Sequence, residues 1–418
     1  MKFTPLILLV FLLTAGCTKP AGKDTNDTAT ALTEEQLREQ ADSLAQAIII
    51  ADTHVDLPYR LVEQKIQPTG DNLNVIVSTR EGDFDYERAK QGGLDAPFMS
   101  IYIPASYQNK RDFGKALADS LIDMVRQIAA GLPDKFALAF SPDDIERNTA
   151  AGKISLPLGM ENGAPIGRSL ENIQYFFDRG IRYITLTHSR DNQICDSSYD
   201  TSRTWNGLSP FGVEVVREMN RVGIMVDVSH VSDSAFYDVI ATTSAPVIAS
   251  HSSCRHFTPG FERNMSDDMI RALAQNGGVI QINFGATFID SVARENQDIL
   301  EDLITELKRQ NLTSRDPEAQ PIIAATGKSE LELYSDVQRV ADHIDHVVAL
   351  VGVDHVGIGS DYDGVDDSLP VGLKDVSQYP NLIFELLKRG YSHADIQKIC
   401  YGNLARVWNA VIQQSQGK

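Results

Sequence analysis

Short apolar runs recur along the chain, and longer stretches of helical pattern separate them. The runs are Ile49–Asp56, Phe98–Ile103, Ser155–Glu161, Arg182–His188, Ile224–His230, Pro246–His251, Gly278–Phe284 and Val356–Asp361, eight in all. Strands that alternate with helices pair in parallel, because a parallel pair needs a long crossover between its members. Eight of them predict an α/β fold, a (β/α)8 barrel of the TIM type with loop insertions. A doubly wound open sheet gives similar periodicity and stays the alternative. No G-x-G-x-x-G follows the first run, which argues against a dinucleotide-binding version of it. An opening helix is expected from Leu32 to about Ile48, with Glu34 and Glu35 in its first turn. The interval between the last two runs holds two helical patterns, Ile299–Arg309 and Ser335–Leu350, around a Pro-containing stretch from Asn311 to Lys328.

The ends of the runs carry the chemistry. Asp56, Glu161, His188, His230, His251 and Asp361 each close one run, and His54 stands two before Asp56. Two residues that far apart in a strand face the same side. In a (β/α)8 barrel the carboxyl ends of the strands build the active site. A histidine taken alone is more often a satisfied polar residue than a ligand. Four of the nine histidines, however, share this position with carboxylates, which stability does not require. His256, His343, His346, His355 and His393 fall outside the pattern and read as structural. Imidazole nitrogen with carboxylate oxygen and no thiolate suits Zn²⁺, with Mn²⁺ or Co²⁺ as alternatives. His54, Asp56, Glu161, His230 and His251 are five ligands. That is too many for one tetrahedral catalytic zinc. It suits two ions per chain if Glu161 bridges them, an arrangement that makes a nucleophile from water near neutral pH.

Charge and cysteine usage narrow the partners and the compartment. Lys and Arg number 38 against 57 Asp and Glu, a net charge of −19, so the chain lacks the basic footprint of a nucleic-acid binder. Four cysteines rule out a disulfide scaffold. The first of them belongs to an address. Lys2, the apolar run Leu6–Leu13 and Thr14-Ala15-Gly16-Cys17 resemble a bacterial lipoprotein signal, with residues 1–16 cleaved and Cys17 lipidated. Residues 17–31 then read as a polar tether, and residues 32–418 as the barrel domain. An ordinary secretory signal with a chance cysteine is the competing reading. The expected location is the bacterial cell envelope, anchored to a membrane and facing the periplasm or the outside. Cys195, Cys254 and Cys400 remain, enough for one disulfide at most.

Longer motifs surround the same residues. They are Asp52-Thr53-His54-Val55-Asp56-Leu57-Pro58, Gly92-Gly93-Leu94-Asp95-Ala96-Pro97, Gly159-Met160-Glu161-Asn162-Gly163, Leu186-Thr187-His188 and Asp227-Val228-Ser229-His230-Val231-Ser232. Ser250-His251-Ser252-Ser253, Arg263-Asn264, Gly359-Ser360-Asp361-Tyr362-Asp363-Gly364 and Gly402-Asn403-Leu404-Ala405-Arg406-Val407 complete the set. In these the chain resembles the membrane dipeptidases, renal dipeptidase-like zinc metallopeptidases of the amidohydrolase-like barrels, from about Ala51 to Val407. The resemblance implies dipeptide substrates, including those with a C-terminal D-residue. It implies that His54 and Asp56 hold one zinc, that His230 and His251 hold the other, and that Glu161 bridges them as a catalytic residue. His188 then steadies the oxyanion, Arg263 pairs with the substrate carboxylate, and Asp361 carries the proton. Relatives are often dimers, which leaves a homodimer open. Taken alone, each has a competing reading: Arg263 as a helix cap, Asp361 as a turn residue and His188 as a core histidine. One departure stands out: many relatives have a larger residue where this chain has Gly285. Two other readings stay open, an amide or lactam hydrolase on the same barrel and a non-catalytic peptide-binding surface lipoprotein. Loss of a ligand would favour the second, and none is lost.

Overall fold

The computed structural model describes residues 32–417. The expected signal segment, the lipidated Cys17 and the tether lie outside the described residues. Among the described residues no helix is long and apolar enough to cross a membrane. The opening helix spans Glu34–Ala45 and starts with a capping box, Thr33 and Gln36 each accepting the other's backbone N–H.

Ten strands follow in chain order: β1 Ile50–Val55, β2 Leu94–Tyr102, β3 Phe136–Leu138, β4 Ile154–Leu156, β5 Leu158–Glu161, β6 Ile181–Thr185, β7 Met225–Asp227, β8 Ile248–Ser252, β9 Val279–Ile282 and β10 Val356–Ile358. Eight of them form one parallel sheet in the order β1-β2-β5-β6-β7-β8-β9-β10. A bridge between Val55 and Tyr362 joins its two ends, and Asp361 and Tyr362 exchange backbone hydrogen bonds with His54 and Asp56 at 3.1 and 2.8 Å. The sheet therefore curls into a nearly closed barrel. This decides for the TIM-type barrel over the open sheet, and it leaves few unpaired edge groups.

The third apolar run does not form one strand. Pro157 interrupts it, since proline has no N–H for a ladder. β4 turns out of the barrel to pair with β3, a strand that periodicity missed, while β5 enters the barrel between β2 and β6. The fourth, fifth and eighth runs also stop short, at Thr185, Asp227 and Ile358. His188, His230 and Asp361 thus sit on the loops just past the strands. Beyond β9 the insertion packs a small core of its own, with Leu300, Leu303, Leu307, Leu333 and Tyr334. Its long helices span Gln297–Arg309 and Val337–Val351.

Side chains fill the lumen. Ala51, Phe98, Tyr183, Met225, Ile248 and Val279 meet Leu404, Val407, Trp408 and Val411 of the last helix, Asn403–Gln416. That helix plugs the barrel at the end opposite the candidate site. An aromatic column rises from it: Trp408 to Phe98 at 5.3 Å between ring centroids, Phe98 to Tyr183 at 5.6 Å, and Tyr183 to His54 at 6.5 Å.

Candidate metal centre

The top of the column is where the strand ends converge. The β1–β2 register slips between Asp52 and Val55, so strict alternation ends there. Asp52 fixes the turn, its Oδ1 accepting the backbone N–H of His54 at 3.0 Å and of Ser360 at 2.9 Å. His54 Nε2 then faces Asp56 Oδ2 at 3.2 Å, Glu161 Oε2 at 3.5 Å and Asp361 Oδ1 at 3.8 Å.

The other oxygen of Glu161 looks the opposite way. Its Oε1 lies 3.0 Å from His230 Nε2, 3.2 Å from His251 Nε2 and 3.6 Å from His188 Nε2. The Nε2 atoms of His230 and His251 are 2.8 Å apart. His230 and Asp361 have φ of +68° and +69°, and Asn162, directly after Glu161, has +76°. His, Asn and Asp enter this left-handed region more readily than other side chains, and here it aims the loops back over the barrel.

All eight site residues expected from the sequence meet here, though not all as expected. Arg263 is buried and already donates to Ser252 Oγ at 2.9 Å, to the His251 carbonyl at 2.7 Å and toward His230 Nε2 at 3.0 Å. Its Nε–H has no partner. Asp361 Oδ2 accepts a hydrogen bond from Asn283 Nδ2 at 2.7 Å. His188 rests edge-on against Tyr102, and burial followed by the Arg263 cation pushes its imidazole down to about 3, so it is neutral. Gly285 is tight: a Cβ there would stand 2.7 Å from the Phe288 ring, which occupies that space and packs on Phe261 and the Arg263 guanidinium.

The residues fit metal ions. His54, Asp56 and Glu161 offer ligand atoms within 4.8 Å of one another, and so do Glu161, His230 and His251. His54 Nε2 and Asp56 Oδ1 are buried without any hydrogen-bond partner. Burial pushes Glu161 up to about 7 and Asp361 up to about 6; His54 opposes both shifts and Asp56 adds to them. Cations among these groups would favour the ionised carboxylates again. Asp361 also lies within ligand reach of His54 and His251.

The histidines read as structural are so. His343 accepts from the Cys254 N–H at 3.0 Å and reaches the Ile289 carbonyl, His346 pairs with Asp267 and stacks on His256, and His355 and His393 meet Gly278 and Gln40. Cys195, Cys254 and Cys400 are free and buried, and burial pushes their thiols up, away from nucleophilic use. Sequence reasoning missed Tyr183, Ser250, Asp227 and Asn283, which brace His54, His251 and Asp361. Asp227 and Ser250 stood inside recognised motifs, so their position was visible and their task was not.

Barrel and cluster together define a metallohydrolase of the amidohydrolase-like TIM-barrel type. The chain belongs to the membrane dipeptidase family, peptidase family M19, whose profile matches residues 38–418. It is 33% identical over 357 residues to dipeptidase tcpJ of Claviceps purpurea, covering 84% of this chain and 72% of that one. It is 32% identical over 384 residues to dipeptidase 3 of Mus musculus, covering 91% and 68%. Among solved structures it resembles the probable dipeptidase PvdM of Pseudomonas aeruginosa, with a TM-score of 0.75, 28% identity and coverage of 91% and 99%. A metallopeptidase of Rhodobacter sphaeroides, solved with a phosphinate mimic of the dipeptide L-Ala-D-Ala, shares the fold at a TM-score of 0.69 and 23% identity over 87% and 99%.

Glu161→Gln keeps the shape and removes the charge that faces both groups. Metal content measured on the purified variant is expected to fall. A variant that keeps the wild-type content would remove Glu161 from the residues that hold metal.

Proposed function

We propose that this metallopeptidase holds two zinc ions per chain and hydrolyses the peptide bond of dipeptides, C-terminal D-residues included. The observation that carries the two-ion reading is Glu161, whose two oxygens face two separate ligand groups. His54 and Asp56 would hold one ion and His230 and His251 the other. When bound, such ions polarise the carbonyl and activate water near neutral pH.

The chain's own residues supply the rest. Arg263, with its Nε–H uncommitted, takes the free carboxylate of a short substrate, which a peptide interior lacks. His188 is neutral and keeps one ring N–H to give to the oxygen that turns negative as the carbonyl is attacked. Asp361 takes a proton from the attacking water and returns it to the amine nitrogen as the C–N bond breaks. Asn283 holds that carboxyl in place from behind. Asp361 Oδ1 stands farther from His54 Nε2 than Asp56 Oδ2 or Glu161 Oε2 does.

The reading is tested by metal analysis together with a panel of L,L- and L,D-dipeptides, beside an N-acylated amino acid and a β-lactam. Hydrolysis of the dipeptides at two zinc ions per chain is expected. Turnover confined to the lactam or acyl substrates would favour another amide hydrolase, and none at all would favour a binding protein.

Asp361→Asn removes the ionisable group and keeps the size. Turnover should fall ~10²–10⁴-fold, mostly in kcat, with zinc content near wild type. Parallel loss of zinc would move Asp361 among the metal ligands instead.

Envelope anchoring rests on the sequence of residues 6–17. One acyl chain holds a protein to a membrane only marginally, so several on the new N-terminus are needed. Cys17→Ser is expected to release an active enzyme from the membrane fraction. Unchanged retention would place the anchor elsewhere.

A further inference from the structure

The histidines around Glu161 do not share one kind of support. Behind His54 stands Tyr183, whose hydroxyl lies 2.9 Å from His54 Nδ1 and 2.9 Å from the Thr53 carbonyl oxygen. A carbonyl only accepts, and a phenol has one proton to give. That proton goes to Thr53, so the phenol oxygen accepts from His54 and Nδ1 carries the hydrogen. Nε2 is then committed to whatever cation sits toward Asp56 and Glu161, a proton or a metal ion.

His251 reaches the same tautomer by another route. Ser250 Oγ lies 2.7 Å from His251 Nδ1 and 2.6 Å from Asp227 Oδ2. Asp227 also accepts from the Thr185 hydroxyl and from the backbone N–H groups of Ser229 and Ser250, at 3.0 and 2.8 Å. With these donors spread over both oxygens it is an acceptor only. The serine proton therefore goes to Asp227, and His251 donates from Nδ1. His230 has neither support, for its Nδ1 is buried without a partner.

We propose that Tyr183 and the Ser250–Asp227 pair are positioning residues that govern the two halves of the metal centre separately. This inference rests on the two-ion reading above. The support behind His54 ends on a neutral carbonyl, and the one behind His251 ends on a carboxylate. A carboxylate behind an imidazole makes it the better donor. Loss of one support should therefore loosen the half it stands behind and leave the other half unchanged. The surrounding packing is cut to admit the phenol: a Cβ at Gly159 would stand 2.0 Å from Tyr183 Cζ. Removal of the hydroxyl alone leaves the ring held between Phe98 and His54.

Zinc titration of the metal-stripped protein against a chromophoric chelator should resolve two steps in the wild type. Tyr183→Phe is expected to weaken one step ~10–100-fold and to spare the other. Ser250→Ala should do the converse, and Ser250→Thr, which returns a hydroxyl, should restore it. In the zinc-loaded proteins, the slowly exchanging ring N–H signal of His54 should vanish only in Tyr183→Phe, and that of His251 only in Ser250→Ala. If each variant weakens both steps alike, or neither step moves, the proposal is overturned. A wild type that binds a single zinc ion would instead remove the two-ion reading beneath it.

Discussion

Three carboxylates, Asp56, Glu161 and Asp361, converge on one imidazole nitrogen at the head of a barrel that admits little water. Buried carboxylates in that number repel one another, and burial penalises each of their charges. Arg263 brings the one guanidinium that lodges among the histidines, and its reach is toward His230 and His251. The negative excess is therefore left on the side of His54. Such a cluster is stable as drawn only when positive charge arrives from outside, as protons or as metal ions. The loops that build it are held in place accordingly. Asp52 and Asp227 each accept a backbone N–H two residues on and another from a neighbouring segment, clamping the turns that aim His54 and His230.

The barrel could be read from the chain because its strands are short, apolar and separated by helices. The five candidate ligands could be read because each stands at or beside the end of such a run. Two things escaped. Pro157 divided a run that hydrophobicity presented as continuous, sending Ile154–Leu156 to a sheet of its own. The last residues of several other runs lie past their strands, because periodicity reports which residues are apolar and not where the ladder stops. At the site the limit was of another kind. The spacing of His54 and Asp56 is local and shows in the sequence. The contact between His54 and Tyr183 crosses the barrel between residues far apart in the chain, and nothing in the surroundings of Tyr183 announces it.

Phe288 marks a similar compensation. Gly285 was the one departure noted in the sequence, a position without a side chain. The ring of Phe288 fills the volume from three residues farther along, where it also contacts Phe261 and Arg263. The ring occupies the volume that a side chain at position 285 would need.

The aromatic column ties the two ends of the polypeptide together. His54 stands near the start of the domain, while Trp408, at the foot of the column, belongs to the last helix, Asn403–Gln416. A ribosome delivers His54 well before its footing. Until that final helix docks, Phe98 and Tyr183 lack a floor, and the imidazole above them lacks a fixed height. A cluster that needs His54 at that height is complete only once the helix has docked.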